Sequence, residues 1–220
     1  MKARRLLAAA AVLFCTARVQ CQDWTRIGSE QGIEVSRRGV PGSRVVAFKG
    51  TGTIDAPLWK VAAILLDTRR AHEWADSLVE SRVVERLRPD AYVEYNHIAM
   101  PFILKDREFV SEVSIQIDGA QKTVSLVYKP TTVEAGATRG RVRGEILSGT
   151  FRVQAVDRMR SALTAELQCD PKGAIPAWVA NMFQKNWPIK TFEGLRAQAA
   201  KSDVDVPDAF KDLLAPVRRF

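Results

Sequence analysis

Histidine is nearly absent from this chain of 220 residues: only His72 and His97 occur. Two histidines do not make up the ligand clusters of a zinc site, so neither a metal nor a cofactor is expected. Cysteine is almost as scarce, with Cys15, Cys21 and Cys169, and the first two lie in the N-terminal segment. An internal disulfide framework is therefore excluded, and packing alone must hold the fold. No run of Lys or Arg exceeds two residues, so nucleic acid is not an expected partner. There is no glycine-rich phosphate loop, nucleophile elbow or Cys/His pair. The stretch "GTGTID" lies in a strand with no helix N-terminus directly after it. No catalytic residues are assigned on this basis. Internal repeats and low-complexity linkers are lacking too, as expected of one domain acting as a monomer.

What the N-terminus does carry is a targeting pattern, "MKARRLLAAAAVLFCTARVQCQDW". Lys2, Arg4 and Arg5 precede an apolar run, Leu6 to Phe14, that is shorter than the ~20 residues a membrane span needs. Cleavage is expected after Ala17 or Cys21, the latter preferred. This assigns residues 1–21 to a signal peptide and the mature protein to the periplasm or the extracellular space. The formal net charge is +8. Loss of Lys2, Arg4, Arg5 and Arg18 with the signal lowers it to +4, which leaves weak, transient attraction to anionic lipid surfaces as the electrostatic expectation.

Within the mature chain, "RVVAFKGTGTID" reads as a strand, and Asp55 with Pro57 as the start of a helix whose Leu58, Val61, Ala62 and Leu65 share a face. A short helical stretch follows at 69–74. Strands are then expected at 82–87 and 92–100, in "REFVSEVSIQID", "KTVSLVYKP", "RVRGEILSGTFRVQAVD" and "RSALTAELQCD". Period-two alternation between short turns predicts an antiparallel meander. Helix, many strands, then a final helix is an α+β order.

The final helix is the unusual segment: "DPKGAIPAWVANMFQKNWPIKTFEGLRAQAA". Ile175, Trp178, Val179, Met182 and Phe183 recur at helical spacing, and Phe192 and Leu195 continue the stripe. Pro188 is expected to kink the helix near Gln184. The concave side of the sheet is the available cover for this face. A lining of Met, Phe and Trp suits an apolar guest.

These residues resemble the START family, the steroidogenic-acute-regulatory-related lipid-transfer domains, over about Ile33 to Ala200. The most specific match is "DPKGAIPAWVANMFQKNWPIKTFEGLR". "REFVSEV" resembles the family's Arg-Asp-Phe-Val strand, and "AHEWADSLVESRVVERL" its Trp followed by an acid. The resemblance implies a helix-grip fold: a curved antiparallel sheet wrapped around the long C-terminal helix, with one lipid in an internal hydrophobic tunnel. It places the lipid-binding domain at 22–200 and leaves 201–220 as a tail, read as frayed. It also implies a lid loop, for which Lys129–Arg139 is the candidate.

By the same resemblance a buried acid falls on Glu80, while its basic partner falls on Val113. Either Glu80 faces water, or Arg107 or His97 partners it. Arg107 is a tunnel-mouth charge or a turn ion pair. Tyr95 and His97 share one strand face, whose direction the sequence leaves open. The expected ligand-binding set is Glu80, Tyr95, His97, Arg107, Trp178, Met182 and Phe183. Two other functions remain open: a helix-grip cyclase or hydrolase acting on an apolar substrate, and a non-catalytic partner-binding module whose interior is filled with side chains.

Overall fold

The computed structural model describes residues 23–101, 104–133 and 135–219, and the side chain of Phe183 lies outside that description. The expected signal segment, residues 1–21, also falls outside it.

Among the described residues, ten strands form one sheet: β1 Thr25–Glu30, β2 Ile33–Arg38, β3 Ala47–Ile54, β4 Leu78–Arg88, β5 Ala91–Ile98, β6 Arg107–Asp118, β7 Thr123–Pro130, β8 Val142–Arg143, β9 Glu145–Ala155 and β10 Ser161–Asp170. Their order is β1-β2-β3-β10-β9-β7-β6-β5-β4, and every pairing on this path is antiparallel. The short β8 pairs parallel to β6 where β7 has left it. The first hairpin escapes the sequence reading because β1 is exposed throughout but for half-buried Ile27 and so lacks an apolar alternation. Its turn, Gln31–Gly32, has positive φ at both residues (53° and 75°), the two-residue geometry that matches strand twist.

Helices lie over the concave face and at its mouth. In α1, Leu58–Leu66, all six residues from Val61 to Leu66 are buried, as befits a helix apolar all round. Its N-cap is Pro57, without a side-chain cap; Asp55 does not serve. A 3₁₀ turn, Thr68–Glu73, follows. The C-terminal helix is broken in two at Asn186: α2 Ala177–Lys185 and α3 Trp187–Ala199, with Pro188 in the first turn of α3. Pro188 has no N–H to give to Gln184, which explains the break.

Close approach fixes α3 on the sheet. A Cβ on Gly50 would lie 2.8 Å from the Pro188 Cβ, and one on Gly52 would lie 2.9 Å from the Phe192 ring. The two strand glycines are thus the recess into which α3 fits. Phe192 and Leu195 are fully buried there, in one core with α1, Leu163, Val153, Leu126, Val113 and Tyr92.

The tail is not frayed. Val206, Phe210, Leu214 and Val217 are buried in that same core, and the Phe210 ring lies 5.7 Å from that of Tyr92. The folded body therefore continues past residue 200, and residues 201–219 close one end of the grip.

Candidate functional site

Strand alternation decides which side chains enter the grip. On β5, Tyr92 belongs to the core, so Glu94 points the same way. On β6, Val113 stands opposite Tyr92 and Ser111 opposite Glu94. Ser81 of β4 reaches the same spot and donates to Glu94 Oε1 at 2.8 Å.

These polar groups are poorly served. Tyr92 Oη, Glu94 Oε2 and Ser111 Oγ are buried and have no hydrogen-bond partner of acceptable geometry among the described residues. Burying such groups unpaired is costly. Desolvation pushes the Glu94 carboxyl up to about 7, while Ser81 and Asn96 act to lower it. No Lys or Arg contributes. Burial likewise pushes the Tyr92 and Tyr128 hydroxyls well above their ordinary value, with the Glu94 charge adding to both. Tyr92, Glu94, Ser111 and Tyr128 thus form one electrostatically linked polar spot inside an apolar wall. A separate trio of unpaired atoms, from Asp67, Trp74 and Gln198, borders a void of about 10 Å³, the size of one water molecule.

The opposite sheet face holds a second buried glutamate with a different environment. Glu108 is 1 % exposed. It accepts from Tyr95 Oη (3.0 Å), from the Thr138 N–H (3.2 Å), and from Arg143 Nε (3.2 Å) and Nη2 (3.0 Å). Burial alone raises its carboxyl, but these donors outweigh it and hold the group below its ordinary value. Arg141 donates to Tyr95 Oη, and Arg82 stacks 4.5 Å from the Tyr95 ring centre. His97 pairs with Asp106 at 2.8 Å, and the other Asp106 oxygen accepts from the Met100 N–H.

The strands also set out a mouth. β3 starts, β5 ends, β6 and β9 start and β10 ends at the same edge of the sheet. A small cluster of Val45, Ile175 and Ala180, with Met100, Leu104, Leu147 and Val179, closes it under α2. The "DPKG" motif builds the approach to α2. Asp170 accepts from the Lys172 N–H at 2.9 Å and from Arg44 at 3.0 Å. Lys172 and Gly173 then take positive φ (50° and 70°).

The sequence matches the START domain family over residues 4–202. The chain belongs to the START family. It is 28 % identical over 198 residues to the uncharacterized protein PA1579 of Pseudomonas aeruginosa, covering 90 % of this chain and 97 % of that one. START domain-containing protein 10 of Homo sapiens is 25 % identical over 127 residues, 58 % of this chain and 43 % of that protein. Among solved structures, human STARD10 superposes with a TM-score of 0.74 at 21 % identity (90 % of this chain, 81 % of that one). The STAR-related lipid transfer protein of Xanthomonas axonopodis superposes at 0.71 and 21 % (81 % and 99 %). These structures share the helix-grip fold of this START chain.

Few of the residues singled out in the sequence enter the START grip. Glu80 is exposed and paired with Arg82 at 3.1 Å; the inward acid is Glu94, fourteen residues further on. Val113 also faces inward, but it stands opposite Tyr92; the residue opposite Glu94 is Ser111. Tyr95 and His97 lie on the outer face. Arg107 is buried at the mouth, but its guanidinium donates to the carbonyls of Lys105, Pro171 and Lys172, so it pins the turn before α2. Trp178 and Met182 are 69 % and 54 % exposed, and point to solvent rather than inward. The side of α2 that meets the body carries Ala180, Asn181 and Gln184; Asn181 accepts from the Val46 N–H and Gln184 donates to the Cys169 carbonyl. The lid candidate at 129–139 is tied down through Thr138 on Glu108 and the Gly136 carbonyl on Arg143.

The residues missed were Glu94, Ser81, Ser111 and Tyr92. A usable signal existed for one: Glu94 is the only charged residue between Ala91 and Asn96, on a strand otherwise apolar enough to be buried on both faces.

Proposed function

We propose that the protein binds one lipid or similar apolar molecule inside the grip, between the sheet and α1 and α3, with the ligand's polar end at Glu94, Ser111 and Tyr92. The carrying observation is the trio of buried, unpaired oxygens on one patch of the inner face. A ligand hydroxyl or head group that hydrogen-bonds them offsets a cost the protein alone leaves standing. The rest of the guest contributes about 0.8 kcal/mol per methylene withdrawn from water. With its carboxyl pushed up to about 7 by burial, Glu94 favours a neutral donor, such as a hydroxyl or amide, over an anionic head.

Entry runs through the mouth, with α2 as the moving part. Its break at Asn186 separates it from the firmly seated α3. Its exposed Trp178 and Met182 offer an apolar contact to a membrane during exchange. We take the protein to be exported to the periplasm or extracellular space, on the N-terminal segment alone, and to act as a monomeric carrier rather than an enzyme.

Native mass spectrometry of the protein purified from its own host, with extraction of what is bound, tests this reading. One lipid per chain supports it. An empty protein that takes up neither a fluorescent fatty acid, a phospholipid nor a sterol sinks it and brings the enzyme and partner-module readings forward.

A further inference from the structure

The end of the sheet opposite the mouth carries a surface groove of about 720 Å³. It runs between the start of α1, the β9–β10 turn and the tail. Every charged residue lining it is a cation: Lys60, Arg158, Arg218 and Arg219. Trp59 supplies apolar floor, and Met159 stands at the rim. The cations are not equally available. Lys60 Nζ donates to the Lys201 carbonyl at 2.7 Å. Arg218 lies 5.2 Å from the Trp59 ring centre and 3.4 Å from Asp205. Arg158 and Arg219 have no ion pair or side-chain hydrogen bond among the described residues, and the nearby Asp157 is taken by Arg160 at 2.8 Å. At the tip of the same turn, Val156 is 52 % exposed and Met159 67 %.

We infer that this end docks on a bilayer containing anionic phospholipid, one phosphate-bearing head group entering the groove between Arg158 and Arg219. Charge complementarity selects the anion. The protruding Val156 and Met159 favour a head group still in its membrane over a phosphate free in solution, because only the membrane covers them. The inference does not depend on a ligand in the grip. It does orient the molecule: docked by this end, the mouth and α2 face away from the anchoring membrane, so lipid exchange is directed outward.

Co-sedimentation of the intact protein with vesicles tests it. Binding is expected to vesicles of phosphatidylcholine with phosphatidylglycerol, to weaken as salt rises, and to be slight with phosphatidylcholine alone. Arg158→Ala with Arg219→Ala should lower the partition by about fivefold per cation removed. Met159→Asp should lower it as well, and Arg26→Ala, on an exposed residue that does not line the groove, should leave it unchanged. Equal binding to both vesicle types, or an unaltered partition in the double variant, overturns the inference. So does saturable binding of glycerol phosphate without vesicles, which would make the groove a site for a soluble anion. The lipid and salt dependence of the unaltered protein decides the matter even if the double variant fails to fold.

Discussion

Glu94 and Glu108 lie fourteen residues apart, on neighbouring strands of one sheet, and both are buried. They differ in what surrounds them. Glu108, on the outer face, collects four donors from three residues and sits below its ordinary protonation range. Glu94, on the inner face, has one firm donor, an unpaired second oxygen, and a carboxyl raised to about 7. A buried acid whose hydrogen bonds are complete is a fastener: Glu108 ties β6, Tyr95 and the loop at 131–141 together. A buried acid whose hydrogen bonds are incomplete has acceptor capacity left over for a ligand or a water.

The largest expected effect lies on the fastener. Glu108→Ala leaves Arg143, Tyr95 and the Thr138 N–H without their acceptor, and should cost about 3 kcal/mol in urea unfolding. A loss under about 1 kcal/mol would erase the contrast between the two glutamates.

Glu94 should behave in the opposite sense and only in part of the pH range. Its carboxyl holds its proton more tightly folded than unfolded. The folded state is therefore unpenalised below the ordinary carboxyl value of about 4.5. It loses stability as pH rises from there to about 7. Glu94→Gln should match the parent protein at pH 4 and exceed it by about 3 kcal/mol at pH 8. Thermal unfolding across that range checks the sign; a variant less stable at pH 8 would mean that Glu94 has a partner in the folded protein.

Smaller effects separate the faces further. Tyr95→Phe removes a satisfied hydroxyl and should cost about 1 kcal/mol without altering lipid uptake. Tyr92→Phe removes an unpaired one, so stability should hold or rise slightly, while uptake of a hydroxylated lipid falls. Trp178→Ala, at an exposed site, should shift stability by less than about 0.5 kcal/mol yet slow exchange between vesicles. If Trp178→Ala unfolds the protein instead, α2 is part of the core and not a gate.

How much of this was legible beforehand differs by level. The helix-grip architecture was: the alternation in "REFVSEVSIQID" marks its inward face, and the Pro188 break is written in the chain. The site was legible only in outline. Trp178 and Met182 form an apolar stripe, but α2 meets the body through Val179 and Ala180 together with Asn181 and Gln184, which bond backbone groups there, so Trp178 and Met182 are left facing solvent. Hydrophobicity ranks residues; it does not rank hydrogen bonds. Tyr95 and His97 look as suited to a pocket as Tyr92 and Glu94 because β5 is buried on both faces, and alternation alone does not name the inner one. Only the register with β6, and Tyr92 against Phe210, settles that.

The most direct test of the inner polar spot is a comparison of bound lipid in three proteins from the same host: the parent, Glu94→Gln and Tyr95→Phe, each extracted and quantified by mass spectrometry. The expected result is that Glu94→Gln carries less lipid, or a different head-group class, while Tyr95→Phe carries what the parent does. Unchanged cargo in the Glu94 variant together with altered cargo in the Tyr95 variant would contradict it and move the ligand's polar contact to the outer face.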